Sequence, residues 1–286
     1  MRQPVDGVNI AGMAAGLAAV PGVVGVTLGG SRGRGAAAAD SDVDLGVYYR
    51  GGLDVAAVRR LAAATDPAAQ ASERGGWGPW VDGGVWLTVA GTTVDWIYRD
   101  LDRVEACWAD CLAGRFGWHA QVGHPHCFWS PAYVGELATG VPLADPAGVL
   151  AALRDGLHYP EPLREAIWAT ATWEAGFTTA TAVKPAGRGD VEHVAGCAYR
   201  AVGCLVQAIH ADARRWLTNE KAGVPAAAGL PAAPAGFELT VADLLGRLGR
   251  TPAELTATVA TLRALVSRTA QNGGQGTAGQ SPDGSG

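Results

Sequence analysis

Two aspartates stand two residues apart inside an apolar run, Asp42-Val43-Asp44-Leu45-Gly46-Val47. Side chains of a strand alternate between faces, so Asp42 and Asp44 point the same way. Carboxylates sharing a face repel unless a cation lies between them. Hard divalent cations such as Mg²⁺ take carboxylate oxygens and, commonly, a phosphate as co-ligand. Upstream, Gly29-Gly30-Ser31 offers backbone amides and one hydroxyl to an anion, with no Cβ at the glycines to hold it away. A phosphate cradle beside a metal-binding carboxylate pair is the layout of phosphoryl or nucleotidyl transfer. The ordinary reading, a polar turn leading into a strand, leaves Asp44 unexplained between Val43 and Leu45.

These residues need a strand on each side of a tight turn. Val23, Val24, Val26 and Leu28 make the first strand-like run, ending at the Gly-Gly-Ser turn. A short turn or helix is expected through Ala36–Ala39. The Asp-x-Asp run then continues as a strand to about Tyr49. Downstream, Val85–Ala90 and Thr92–Tyr98 are two β-rich runs separated by Gly91, which reads as a hairpin. The second of them carries Asp95 in Thr93-Val94-Asp95-Trp96-Ile97, beside the Asp-x-Asp strand in the expected sheet.

Gly30-Ser31, ten residues, then Asp42-Val43-Asp44 resembles the signature of the nucleotidyltransferase superfamily, which includes polymerase β and kanamycin nucleotidyltransferase. The resemblance is specific over Val23 to Arg99. It implies that Gly30 and Ser31 hold the nucleotide phosphates, that Asp42 and Asp44 bind metal, and that Asp95 completes a catalytic triad. It further implies two Mg²⁺ ions and an NTP co-substrate, with ATP the expected one. Arg32 and Arg34 flank the cradle, and a guanidinium binds two phosphate oxygens at once. In similar enzymes a lysine of the second domain reaches the triphosphate. Lys184 and Lys221 are the only lysines in the chain, and Lys221 is the candidate.

Two rival phosphate motifs fail. A Walker A loop needs Lys then Ser or Thr after its last glycine, whereas Ala36 follows Gly35. Gly33-Arg34-Gly35 loosely matches a dinucleotide fingerprint, but a second strand begins where a long helix should run.

The formal net charge of −5 argues against a dedicated nucleic-acid binder and toward a small-molecule or protein acceptor. The five cysteines are odd in number and form no CxxC pair, so neither a disulfide framework nor a zinc ribbon is expected. Leu17–Leu28 is apolar but broken by Pro21 and glycines, and no stretch reaches about 18 apolar residues. The expected location is the cytoplasm, with no membrane partner and a monomeric or homodimeric state.

Elsewhere, helices are expected over Val5–Val20, Val55–Ala64 behind an Asp54 cap, and Leu101–Leu112. Glu73–Trp80 reads as a flexible aromatic loop suited to covering a substrate. Gly117–Ser130 holds His119, His124 and His126 among aromatics. Their spacing is not that of a zinc site, and a loop lining an acceptor pocket or ordinary histidines are the readings kept. From Tyr133 on only helix is expected: Tyr133–Thr139, Asp145–Leu157, Pro162–Val183, Asp190–Trp216, Val241–Leu248 and Pro252–Arg268. A Pro/Ala/Gly linker spans Pro225–Pro234.

The expected fold is α+β. A polymerase β-like nucleotidyltransferase domain with a mixed sheet (1–115) precedes a connecting segment (116–144), a C-terminal α-helical bundle (145–270) and a disordered tail (271–286). The cleft between the two domains is expected to hold NTP and acceptor. Antibiotic nucleotidyltransferases use acidic residues of their helical domain on the acceptor, and Asp190, Glu192 and His193 match that place. The expected activity is transfer of an NMP to a hydroxyl of an aminoglycoside- or lincosamide-like acceptor, as in antibiotic resistance. The alternatives are adenylylation of a protein, as in antitoxin-type relatives, and nucleotide binding without catalysis.

Overall fold

The computed structural model describes residues 7–35 and 41–274. The turn expected through Ala36–Ala39, and the tail beyond Gly274, lie outside the described residues. The chain divides into two compact units, Met1–Cys111 with Phe116–His158, and Leu112–Arg115 with Tyr159–Gly286.

The first unit is built on α1 (Ile10–Ala18), β1 (Val23–Leu28), a one-turn α2 (Gly30–Gly33), β2 (Val43–Tyr49), α3 (Val55–Thr65), β3 (Gln70–Ala71), β4 (Gly84–Val89) and β5 (Thr92–Asp100). It continues with α4 (Leu101–Leu112), β6 (Trp118–Gln121), β7 (His124–Trp129), α5 (Pro131–Thr139), β8 (Val141–Ala144) and α6 (Val149–Gly156). Six strands form one mixed sheet in the order β3-β4-β5-β2-β1-β8. Its one parallel pair is β2 with β5; the other pairs are antiparallel. The expected hairpin is present as β4 and β5, turned at Ala90 and Gly91, both at positive φ (50° and 80°).

Alternation sorts the central strands into two faces. Val26, Leu28, Val43, Leu45, Val47, Val94, Trp96 and Tyr98 pack with Ala14 and Leu17 of α1 and Val58 and Ala62 of α3 in one buried cluster. Fully burying each large aliphatic side chain contributes roughly 1.5–3 kcal/mol, so this cluster is the main reason the register is fixed. The opposite face carries Thr27, Asp44, Gly46, Tyr48, Asp95, Ile97 and Arg99. There a Cβ on Gly25 would meet Leu150 of α6 at 2.7 Å. Arg99 pairs with Glu136 of α5, Nη2 donating to Oε1 at 2.8 Å.

Four expectations are corrected in this unit. The segment 116–144 does not serve as a connector: β8 pairs antiparallel with β1, so it belongs to the sheet. The stretch after Tyr133 is therefore not all helix, and residues 145–158, expected in the helical bundle, fold with the sheet as well. Val141-Pro-Leu-Ala144 is too short, and its proline reads too strongly against a strand, for its edge pairing to show in the sequence. Gly117–Ser130 forms the β6-β7 hairpin rather than a loop.

The second unit comprises α7 (Glu161–Thr181), α8 (Val183–Arg188), α9 (Val191–Asp212), α10 (Gly223–Ala228), α11 (Phe237–Gly246) and α12 (Pro252–Asn272). Asp190 caps α9 by accepting from the His193 amide at 3.1 Å. Thr251 and Glu254 close a capping box on α12. α12 runs four residues past the expected end at Arg268, and the expected Pro225–Pro234 linker contains most of α10. α9 is long and apolar enough to cross a membrane, but it is mostly buried against α7, α10, α11 and α12. None of the five cysteines is in a disulfide, and burial pushes the Cys107 thiol up to about 11 and Cys111 up to about 12.

Candidate functional site

The sheet brings Asp44 and Asp95 together. They are register partners across the parallel pair β2-β5 and lie on the same face, both half-buried. Asp42 sits one residue before β2 begins and is exposed. Among the described residues no group of three His, Cys, Asp or Glu side chains is close enough to hold a metal ion. The three aspartates are thus a paired carboxylate set with a third at the strand entrance.

The Gly-Gly-Ser turn is packed onto this pair. The Gly29 amide donates to the Asp44 carbonyl at 2.8 Å, holding the end of β1 to β2. Gly30 then turns at φ +57°, and a Cβ there would lie 1.7 Å from Asp44 Oδ2. Only glycine lets the backbone pass so close to the carboxylate. Gly33 is also tight, with a Cβ 2.5 Å from the Leu28 carbonyl oxygen. Gly30 and Ser31 open α2, where first-turn amides have no partner within the helix.

Arg32 turns back onto the chain that enters β2. Its Nε donates to the carbonyls of Ser41 and Asp42, both at 3.1 Å, and Nη2 donates to Ser41 at 2.6 Å. It fixes the backbone of Asp42 in place. Arg34 is exposed at the end of α2.

Further along the same face the polar groups are buried and paired. Arg99 is 6% exposed, lies over the Tyr133 ring at 5.4 Å and donates to Glu136 and the Tyr98 carbonyl. Burial opposes its charge, and Glu136 more than offsets that, so its pKa is raised. Burial likewise raises the Tyr48 phenol, with Glu136 adding to it. A Cβ on Gly46 would lie 2.8 Å from Thr27 Oγ1 and 3.0 Å from the Tyr48 ring. The Arg99–Glu136 pair carried no signal in the sequence, because its members are 37 residues apart and only the docking of α5 joins them.

The Glu73–Trp80 loop, read as flexible from sequence, is fastened at several points. Trp77 stacks on Trp86 at 4.7 Å, and Trp80 stacks on His119 at 3.9 Å. Gln121 Oε1 accepts from the amides of Trp80 and Val81, each at 3.1 Å, and Nε2 donates to the Trp77 carbonyl at 2.6 Å. Arg103 lies over the Trp80 ring. Tyr49 donates to Asp82 Oδ2 at 2.5 Å, and Asp82 Oδ1 accepts from the Gly75 amide. His119 is thereby a stacking partner whose pKa is lowered by burial. His124 packs edge-on against Phe128. His126 lies between them on β7 in sequence, and the three do not form a metal group.

The remaining sequence candidates lie in the helical unit. Asp190, Glu192 and His193 line a cavity of about 530 Å³ together with Thr178, Gly196, Cys197 and Arg200. Arg200 Nε donates to Glu174 Oε1 at 2.7 Å on one side of this region. Lys221 is exposed in the turn before α10, where its amide donates to Asn219 Oδ1 at 2.9 Å.

Residues 17–73 match the family model described as a nucleotidyltransferase domain. That stretch contains β1, the Gly-Gly-Ser turn, Asp42 and Asp44; Asp95 lies beyond it. No curated protein matches the chain. Among solved structures, the chain is similar to a nucleotidyltransferase-like protein from Exiguobacterium sibiricum 255-15, with 12% identity and a TM-score of 0.42 over 89% of this chain and 72% of that one. With its motif residues on β1, the turn and β2 of a mixed sheet, the N-terminal part of this chain is similar to nucleotidyltransferase domains over residues 17–73.

Proposed function

We propose that the chain is a metal-dependent nucleotidyltransferase that moves an NMP from an NTP, ATP first among them, to a hydroxyl of a small-molecule acceptor and releases pyrophosphate. The observation that carries this reading is the register pairing of Asp44 with Asp95 beside a glycine turn that no side chain could replace.

The residues present suit a divalent cation. Mg²⁺ binds proteins through one or two carboxylates plus substrate phosphates, and keeps waters in its other positions. Asp44 and Asp95 supply the carboxylates, Asp42 stands at the edge, and the nucleotide supplies the rest. When bound, the two ions neutralise the triphosphate and lower the pKa of the attacking hydroxyl. The chain's own part is positioning. Gly30 and Ser31 receive phosphate oxygens on their amides and hydroxyl. Arg32 holds the entry to β2 rigid. Arg34 and Lys221 are the candidate cations for the outer phosphates. The hydroxyl oxygen forms a bond to the α-phosphorus as the α–β phosphoanhydride bond breaks. Pyrophosphate leaves with the electron pair, and the hydroxyl proton passes to the Asp95 carboxylate. In such reactions positioning and charge stabilisation supply most of the rate.

The acceptor proposed is an amine-bearing small molecule of the aminoglycoside or lincosamide kind. The support is the cavity lined by Asp190, Glu192 and His193, whose carboxylates suit ammonium groups and whose volume suits a small molecule.

The test is calorimetric titration of ATP, GTP, CTP and UTP with and without Mg²⁺, followed by an acceptor screen that follows pyrophosphate release. Mg²⁺-dependent binding of one nucleotide, lost in Asp44→Asn, supports the reading. A folded chain that binds none of the four in the presence of Mg²⁺ removes it.

A further inference from the structure

We propose that Trp86 is the platform on which the acceptor lays the ring carrying its attacking hydroxyl, and that this ring is an amino sugar or aminocyclitol. The inference rests on the nucleotidyl-transfer reading and adds a specificity-determining residue to that site.

Register places Trp86 there. It is the β4 partner of Asp95, as Asp44 is the β2 partner, and residues directly opposite one another share a face of the sheet. A row across the sheet therefore runs from the Gly30 turn, packed on Asp44, through Asp44 and Asp95 to Trp86. Neighbouring strands lie about 4.8 Å apart, so the indole stands one such step beyond Asp95. In-line displacement puts the attacking and leaving oxygens on opposite sides of the phosphorus. With pyrophosphate held at Gly30 and Ser31, the acceptor comes from the other end of the row, where Trp86 stands.

The indole is set up as an open surface. Trp86 is 62% exposed. One side of its ring stacks on Trp77, with centroids 4.7 Å apart and planes 18° from parallel. Trp77 lies on Gly84, where a Cβ would meet its ring at 2.8 Å, and Gly84 is the register partner of Ile97. Trp77 thus covers Trp86 on the Ile97 side. The open side looks toward Thr88 and Thr93, the end of the sheet at which Asp42 enters β2. Gln121 Nε2 donates to the Trp77 carbonyl at 2.6 Å, so the stacked pair is anchored before any ligand arrives.

That surface selects a chemistry. The face of an indole takes the C–H face of a saturated ring, and it attracts ammonium groups more strongly than other aromatic rings do. An amino sugar or aminocyclitol brings both features together with the hydroxyl that the reaction consumes. Anionic acceptors are disfavoured beside Asp42, Asp44 and Asp95.

The test uses the full chain with neamine, an amino sugar joined to an aminocyclitol. Calorimetry gives the Mg²⁺-dependent affinity for each NTP, and then the affinity for neamine of the chain loaded with Mg²⁺ and the α,β-methylene analogue of the NTP that binds. Trp86 lies outside the core, so Trp86→Ala and Trp86→Phe should both fold. In Trp86→Ala nucleotide affinity should stay within about twofold while neamine binding weakens about tenfold or more. Trp86→Phe keeps an aromatic face and should recover most of the loss. In pyrophosphate release, Trp86→Ala should raise KM for neamine about tenfold with kcat within about threefold of the parent. Equal neamine affinity in parent and Trp86→Ala overturns the proposal and leaves the nucleotidyl-transfer reading standing, as does a loaded parent that takes no neamine. A matching fall in nucleotide affinity assigns the indole to the base and also overturns it. A parent that binds no NTP with Mg²⁺ removes the reading and this inference together.

Discussion

Gly30 and Asp44 are in such close contact that a Cβ on the glycine would lie 1.7 Å from the aspartate's Oδ2. The turn that is to receive phosphate and the carboxylate that is to hold the cation are therefore one packing unit. Moving either one moves the other.

Gly30→Ala must clash with Asp44 and must hold φ near +57°. The expected stability loss is about 1–3 kcal/mol by urea denaturation. Mg²⁺-dependent nucleotide binding should weaken about tenfold or more. Gly29→Ala is the control: its φ is −104° and its nearest contact is the Asp44 carbonyl oxygen at 3.7 Å, so it should fold and bind nearly as the parent does. Equal tolerance of both substitutions would refute the coupling.

Asp44→Asn and Asp95→Asn each leave the strands' apolar faces untouched. Nucleotidyl transfer should fall by about two to four orders of magnitude, the scale of losing one preorganised charge contact. Stability should stay within about 0.5 kcal/mol, as for substitutions outside the core, or rise as facing like charges are reduced. Turnover beside a melting curve checks both halves. Substantial turnover in Asp44→Asn would remove the carboxylate pair from the mechanism.

Glu136→Gln breaks the ion pair on Arg99, whose side chain is 7% exposed. Leaving that cation uncompensated should cost about 3 kcal/mol. Arg99→Met combined with Glu136→Leu removes both charges and should cost clearly less than Glu136→Gln alone. Denaturant midpoints of the parent, Glu136→Gln, the singles Arg99→Met and Glu136→Leu, and the double variant decide it. A double variant as weak as the sum of the singles would show that the two residues act separately.

His210 is buried in α9 with its ring Nδ1 2.9 Å from the Val206 carbonyl oxygen. Burial lowers its pKa, and that carbonyl only partly opposes the shift. A histidine with a depressed folded pKa binds its proton more readily when unfolded. Stability is then full above the ordinary histidine range and falls as pH drops through it. Melting temperatures of the parent and His210→Leu across pH 7.5 to 5 should show the parent losing more on acidification. Parallel curves would assign the acid sensitivity to other groups.

The sequence by itself determined the local chemistry. Asp42-Val43-Asp44 alternates with apolar residues, and Gly29-Gly30-Ser31 breaks a strand, so both motifs are written in consecutive residues. The cap at Asp54 was legible for the same reason: its side chain accepts from an amide three residues ahead. What only the tertiary structure decided involves partners far apart in the chain. The parallel register that sets Asp95 opposite Asp44 depends on which apolar face is buried, and that takes α1 and α3 together with the sheet. β8 is a strand only because β1 offers it an edge. Arg32 was expected to face phosphates, and the fold turns it toward the carbonyls of Ser41 and Asp42. The aromatic loop at Glu73–Trp80 is held by Gln121, His119 and Trp86. Hydrogen bonds and ring stacking at such separations leave no periodicity behind, so no reading of adjacent residues could have found them.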